Sequence, residues 1–147
     1  MEKIKILIFS LMALVCSIGM ISCQEEEFDP AELLVGKWSR TMGYEIVIFP
    51  DGNSSETEVN DAGDTYQIIF YKNGNGESLF MEDGNWNRSA TFRWASDGNV
   101  LITLDNDTGI EQEGKITLLN ESSLVVEEDF ESEGNRVCRK NTYRRVE

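Results

Sequence analysis

Apolar side chains recur at every second position through most of this chain, and that periodicity restricts its fold more than any other feature of the sequence. Phe92 and Trp94 alternate with Thr91 and Arg93, and Val100, Ile102 and Leu104 repeat the pattern beyond Asp97-Gly98. Successive side chains of an extended strand point to opposite faces, so such runs bury one face and wet the other. Downstream of Leu34 no sustained 3.6-residue periodicity competes with them. The expected class is all-β.

The first strand starts at Trp38–Thr41, and Tyr44–Phe49 either continues it past a kink at Gly43 or forms a second strand. Tyr66–Tyr71 runs into the turn Asn73-Gly74-Asn75-Gly76 and returns through Glu77–Met81. Ile116 and Leu118 mark another strand, and Leu124, Val126 and Phe130 the next. Asp51-Gly52, Asp83-Gly84 and Asp97-Gly98 are of the kind that seats type I′ turns, because both central residues need positive φ. The polar stretch between Phe49 and Tyr66 reads as a long mobile hairpin or loop. Ahead of the first strand, Asp29 caps a short helical turn with Pro30 at its first position and Glu32 at its third, placed to close one end of a barrel.

With 147 residues, 40% of them hydrophobic, the chain has room for one domain and one core. Net charge is −14, and loss of residues 1–22, which carry Glu2, Lys3 and Lys5, makes it −15. Such a surface repels phosphate backbones, so no nucleic acid is expected as a partner. Five basic residues between Arg136 and Arg145 resemble a polyanion site only in isolation. With Gly134-Asn135 as a two-residue turn, Glu133 faces Arg136 and Asp129 faces Lys140, which neutralises the run across the hairpin.

There is no histidine, which removes the commonest proton-transfer side chain near neutral pH and the commonest transition-metal ligand. An enzyme is not expected, since chemistry would fall to carboxylates alone. No cofactor or metal is expected either. Asp105-Asn106-Asp107-Thr108-Gly109 opens like a calcium loop, but its glycine comes one position early and Ile116 stands where the bidentate acid belongs. It reads as a hairpin turn. Of three cysteines only Cys138 falls within the domain, as a buried small hydrophobe, so no disulfide can form there.

Lys3 and Lys5 precede the apolar run Ile6–Val15, a basic segment and a hydrophobic segment of an export signal. It leads to Gly19-Met20-Ile21-Ser22-Cys23, which resembles the lipobox of bacterial lipoproteins. The organisation expected is a signal peptide over 1–22, a lipidated acidic tether over 23–32 and a barrel domain over 33–147. Cys23 would carry palmitate-type acyl chains, and two or more such chains anchor a protein to membrane stably. The acidic run Glu25–Glu27 resembles the surface-export signal of Bacteroidetes lipoproteins, which implies the outer membrane and exposure on its outer face.

Leu34-Val35-Gly36-Lys37-Trp38, Ile69–Gly76, Phe92-Arg93-Trp94, Lys115–Leu119, Ser123–Val126 and the closing Tyr143-Arg144-Arg145 together are similar, in order and spacing, to the small lipocalin-like lipoproteins of Bacteroidetes. The resemblance covers nearly all of Leu33 to Val146. It implies an eight-stranded antiparallel up-and-down lipocalin-like β-barrel with a short N-terminal helical turn, monomeric and working by binding. Gly36 and Trp38 would close the barrel base, with Arg144 or Arg145 over the tryptophan face, Arg145 being the assignment. A small hydrophobic or glycan ligand would meet Trp86, Trp94, Phe92 and Phe80, with Trp86 in an exposed loop. The competing expectation is a filled barrel whose loops contact another envelope protein.

Overall fold

The computed structural model describes residues 29–60 and 65–146. The signal segment, Cys23 and residues 24–28 of the tether lie outside the described residues. The described residues form a helix α1 (Pro30–Leu34) and nine strands: β1 (Gly36–Ile48), β2 (Ser54–Asn60), β3 (Tyr66–Phe70), β4 (Asn75–Glu82), β5 (Asn85–Asp97), β6 (Val100–Asp105), β7 (Glu111–Leu119), β8 (Ser123–Ser132) and β9 (Asn135–Arg145).

Every described pairing is antiparallel, and the ladder from β3 to β9 closes on β1 at both ends. Nine strands fill eight positions of this closed barrel, because β2 and β3 pair with different parts of β1. Residues Met42–Ile48 of β1 pair with β2, and residues Gly36–Ser39 pair with β3. Closure leaves eight strands with partners on both sides and only β2 paired on one edge among the described residues.

Three details of the ladder differ from the sequence expectation. Of the hairpin or loop expected after Phe49, residues 54–60 form the hairpin arm β2, a strand the sequence had not delimited; the side chains from Ser54 to Glu58 are exposed, so the strand is held by its ladder to β1 and leaves no apolar alternation to read. β1 runs unbroken through Gly43, and the bend comes from a bulge at Thr41, between the Arg40 and Met42 pairs. The last turn is Glu133-Gly134, with φ of 51° and 79°, one residue ahead of Gly134-Asn135. Type I′ geometry favours glycine at its second central position, and here the glycine takes it. Glu131 therefore faces Arg136, Glu128 faces Arg139 and Glu127 faces Lys140. Of the three Asp-Gly pairs only Asp83-Gly84 has both residues at positive φ. At Asp51-Gly52 the chain spends one more residue, Pro50, and only Gly52 is left-handed.

Asp29 caps α1 by accepting a 3.0 Å hydrogen bond from the Ala31 amide. The helix packs across the base of the barrel. Trp38 is fully buried there, and its Nε1 donates to Leu34 O at 2.9 Å. The Arg145 guanidinium lies 4.2 Å from the Trp38 ring centroid. It also donates to Leu33 O, to Val35 O at 2.8 Å and to Glu121 O at 2.7 Å. One side chain thus satisfies carbonyls that the helix end leaves without partners and ties them to the β7–β8 turn. Gly36, at φ 136°, makes the step from helix to strand in a conformation that favours glycine. Above this plug, Phe70 meets Phe92 and Trp94 edge-on at 5.8 and 5.3 Å.

Candidate ligand-binding cavity

Cross-strand partners share a face, so the inward pairs of β8 and β9 can be followed from base to mouth: Leu124 with Tyr143, Val126 with Asn141, Glu128 with Arg139, Phe130 with Val137. The sequence of these pairs is apolar, polar, charged, apolar. Around them the barrel encloses a cavity of about 400 Å³, within the range of roughly 300–1,000 Å³ usual for small-molecule sites. Its floor is Ile68, Phe70, Phe92, Leu101, Leu124 and Val126. Tyr66, Ser78, Thr103, Gln112 and Asn141 add polar groups higher up, and the β6–β7 turn overhangs the mouth through Asp105, Thr108 and Ile110, the last 59% exposed.

Small inward residues keep this interior from filling. The Phe92 ring lies against Gly76, its direct cross-strand partner, and Val126 leans into the space over Gly114. Ser78 and Ala90 line the same wall. An eight-stranded barrel is only just wide enough for its own side chains or one small ligand, so each methylene omitted here is volume left open.

The charged layer is built around Arg139. Its Nε and Nη2 bind Glu45 at 3.0 and 2.9 Å, its Nη1 reaches Glu128 at 3.4 Å, and the guanidinium sits 5.1 Å from the Phe130 ring. Glu128 is only 18% exposed. Burial pushes its carboxyl above the usual range, against the opposing pull of Arg139. Burial likewise raises the Tyr143 hydroxyl far out of the titratable range. On the rim, hydrogen bonds from the Thr108 and Asp107 amides hold the Asp105 carboxyl below its ordinary value, so that it is anionic at neutral pH.

The Glu128 shift sets a sign. A carboxyl whose folded pKa exceeds its unfolded one binds extra protons in the folded state, so its contribution to stability is complete below the unfolded value and is lost as pH rises through the folded value. The carboxyl carbon of Glu128, followed by NMR, is expected to titrate with a midpoint above 4.5. Arg139→Met is expected to move that midpoint higher still.

Of the aromatic residues expected to meet a ligand, Phe92 lines the cavity. Phe80 is half-buried opposite Tyr66 on β4 and is not part of the lining. Trp94 belongs to the base, where its Nε1 donates to both Tyr71 O and Asn75 O at 3.0 Å. Trp86 stands not in a loop but at the start of β5, paired with Met81 and 37% exposed, away from the lining. Cys138 is half-buried on the face opposite Val137, paired with Ile46 and Asp129 rather than placed in the core. Among the described residues no group of three or more His, Cys, Asp or Glu is placed to hold a metal ion. Sequence reasoning passed over Glu128 and Arg139. The signal was available: they fall in phase with Leu124, Val126 and Tyr143, which points them inward.

A closed antiparallel barrel with one plugged end and one open, polar-mouthed cavity is a calyx-type fold. A family model described as a lipocalin-like domain matches residues 34–126, and the chain belongs to that family. Among solved structures, it is similar to a lipocalin-like protein from Bacteroides uniformis, at 21% identity over 78% of this chain and 99% of that one, TM-score 0.48. An uncharacterized protein from Bacteroides eggerthii gives 16% identity over 77% and 99%, also at TM-score 0.48. A redesigned β-barrel gives 16% identity over 80% and 96%, at TM-score 0.44. No curated protein matches the chain.

Proposed function

We propose that this is a lipid-anchored protein of the bacterial outer membrane, displayed on its outer face, that binds a small ligand in its barrel and catalyses nothing. The observation that carries the binding role is the cavity of about 400 Å³ with its aromatic and aliphatic floor. That floor favours an apolar ligand body over a glycan, which calls for exposed stacking surfaces and a denser set of hydrogen-bond partners. A barrel filled by its own side chains, the basis of a purely structural role, is not what this volume supports. The absence of histidine argues in the same direction as the fold, toward binding without proton-transfer chemistry. The lipobox-like residues ending at Cys23 support the anchor.

A neutral apolar fluorophore, N-phenyl-1-naphthylamine, tests the cavity. It is expected to brighten in the presence of the protein, and Ala90→Trp, which places an indole into the lined space, is expected to abolish the signal without loss of β-structure. Unchanged fluorescence with the wild-type chain would overturn the reading. Mass-tag labelling with palmitate in the native host, lost in Cys23→Ala, tests the anchor separately.

A further inference from the structure

We infer that the cavity takes a cationic amphiphile, a compact amine whose apolar body lies on the Phe70 and Phe92 floor while its ammonium group meets Glu128. This rests on the cavity being a ligand site. The first argument is the state of the charged layer. Arg139, the cation of the lining, is already held by Glu45 through two nitrogens and by Glu128 through a third. An anionic ligand would have to displace a carboxylate from it. Glu128 by contrast has its oxygen Oε2 on one long 3.4 Å contact and stands 18% exposed above an apolar floor. A desolvated carboxylate with weak compensation is a site for a donor that carries positive charge.

The second argument is the charge of the mouth, which is independent of the first. The turns at that end carry Asp51, Asp83, Asp105, Asp107, Glu131 and Glu133, and no lysine or arginine occurs in 49–54, 82–86, 105–111 or 131–135. Arg136, close by on β9, is held by Asp129. At the closed end Lys37, Lys72, Arg144 and Arg145 offset the acids. The field of the chain is therefore negative where a ligand enters, and a low-dielectric cleft lined by one sign of charge concentrates counter-ions. The inner groups complete the account: Glu45, Glu128 and Asp105 stand against Arg139 and Arg40, the latter stacked at 4.8 Å on the Tyr66 ring. The balance is one net negative charge.

Three indoles of similar shape separate charge from shape: tryptamine, tryptophol and indole-3-propionate, titrated calorimetrically into the purified chain. Tryptamine is expected to bind about tenfold more tightly than tryptophol, as befits a partly buried charge pair, and indole-3-propionate most weakly. Glu128→Gln is expected to bring tryptamine down to the tryptophol value and leave tryptophol where it was. Should that variant fail to fold, the surface triple Asp83→Asn, Asp107→Asn, Glu133→Gln decides: a loss of about two- to threefold for tryptamine alone, at low salt only, is expected from the lost field. Equal affinity for tryptamine and tryptophol, tighter binding of the carboxylate, or no effect of either variant overturns the inference. If N-phenyl-1-naphthylamine still enters in that case, the cavity reading survives; if it also stays out, both fall together.

Discussion

Trp38→Ala is expected to lower the unfolding free energy by about 4 kcal/mol, the middle of the range for deleting a fully buried large aromatic side chain. Trp38 has no exposed surface, and removing it takes away three things: the core contact beneath Phe70 and Leu124, the hydrogen bond to Leu34 O, and the ring on which the Arg145 guanidinium rests. A second substitution tells packing from tethering. Arg145→Lys keeps the charge but loses the planar fork that reaches Leu33, Val35 and Glu121 together, so it is expected to forfeit about 1–3 kcal/mol through carbonyls left without donors. Urea unfolding followed by Trp fluorescence and circular dichroism measures both. A loss under about 1 kcal/mol in Trp38→Ala would mean that the base is not the keystone of the barrel.

Gly76→Ala is expected to destabilise by about 2–3 kcal/mol, the cost of overpacking a contact that the Phe92 ring already closes. A Cβ there would collide with the Phe92 ring and come to 2.8 Å from the Ile69 carbonyl oxygen, and backbone cannot yield as a side chain can. The double variant with Phe92→Leu is expected to recover part of the loss, because the smaller side chain vacates the ring's position. The coupling between the two sites, read from a double-mutant cycle, is expected at about 1–2 kcal/mol. Additive effects would show that Gly76 is needed for its backbone alone.

Trp38, Gly36 and Arg145 were legible because their roles are tied to residue types that few other environments require together. The strands with one buried face were legible for the same reason. β2 was legible only as one arm of a hairpin or loop without bounds, since both faces of residues 54–58 meet water and pairing with β1 leaves no trace in composition. The turn at Glu133-Gly134 was misplaced by one residue, which moves the β8–β9 register by two and so returns every side chain to the face it was assigned. That is why the hairpin survived an error in its turn. Glu128 and Arg139 were hidden by a different effect. Opposite charges facing each other across a hairpin look like a solvated surface pair, and only the phase set by Leu124 and Tyr143 turns them inward.

The described chain begins at Asp29, against the plugged end, while the mouth lies at the far end of strands running the height of the barrel. An anchor upstream of Asp29 would hold the sealed floor toward the bilayer and turn the opening to the medium. Cargo would then be exchanged with the aqueous phase, and a molecule dissolved in the lipid beneath would have to leave it before it could be captured.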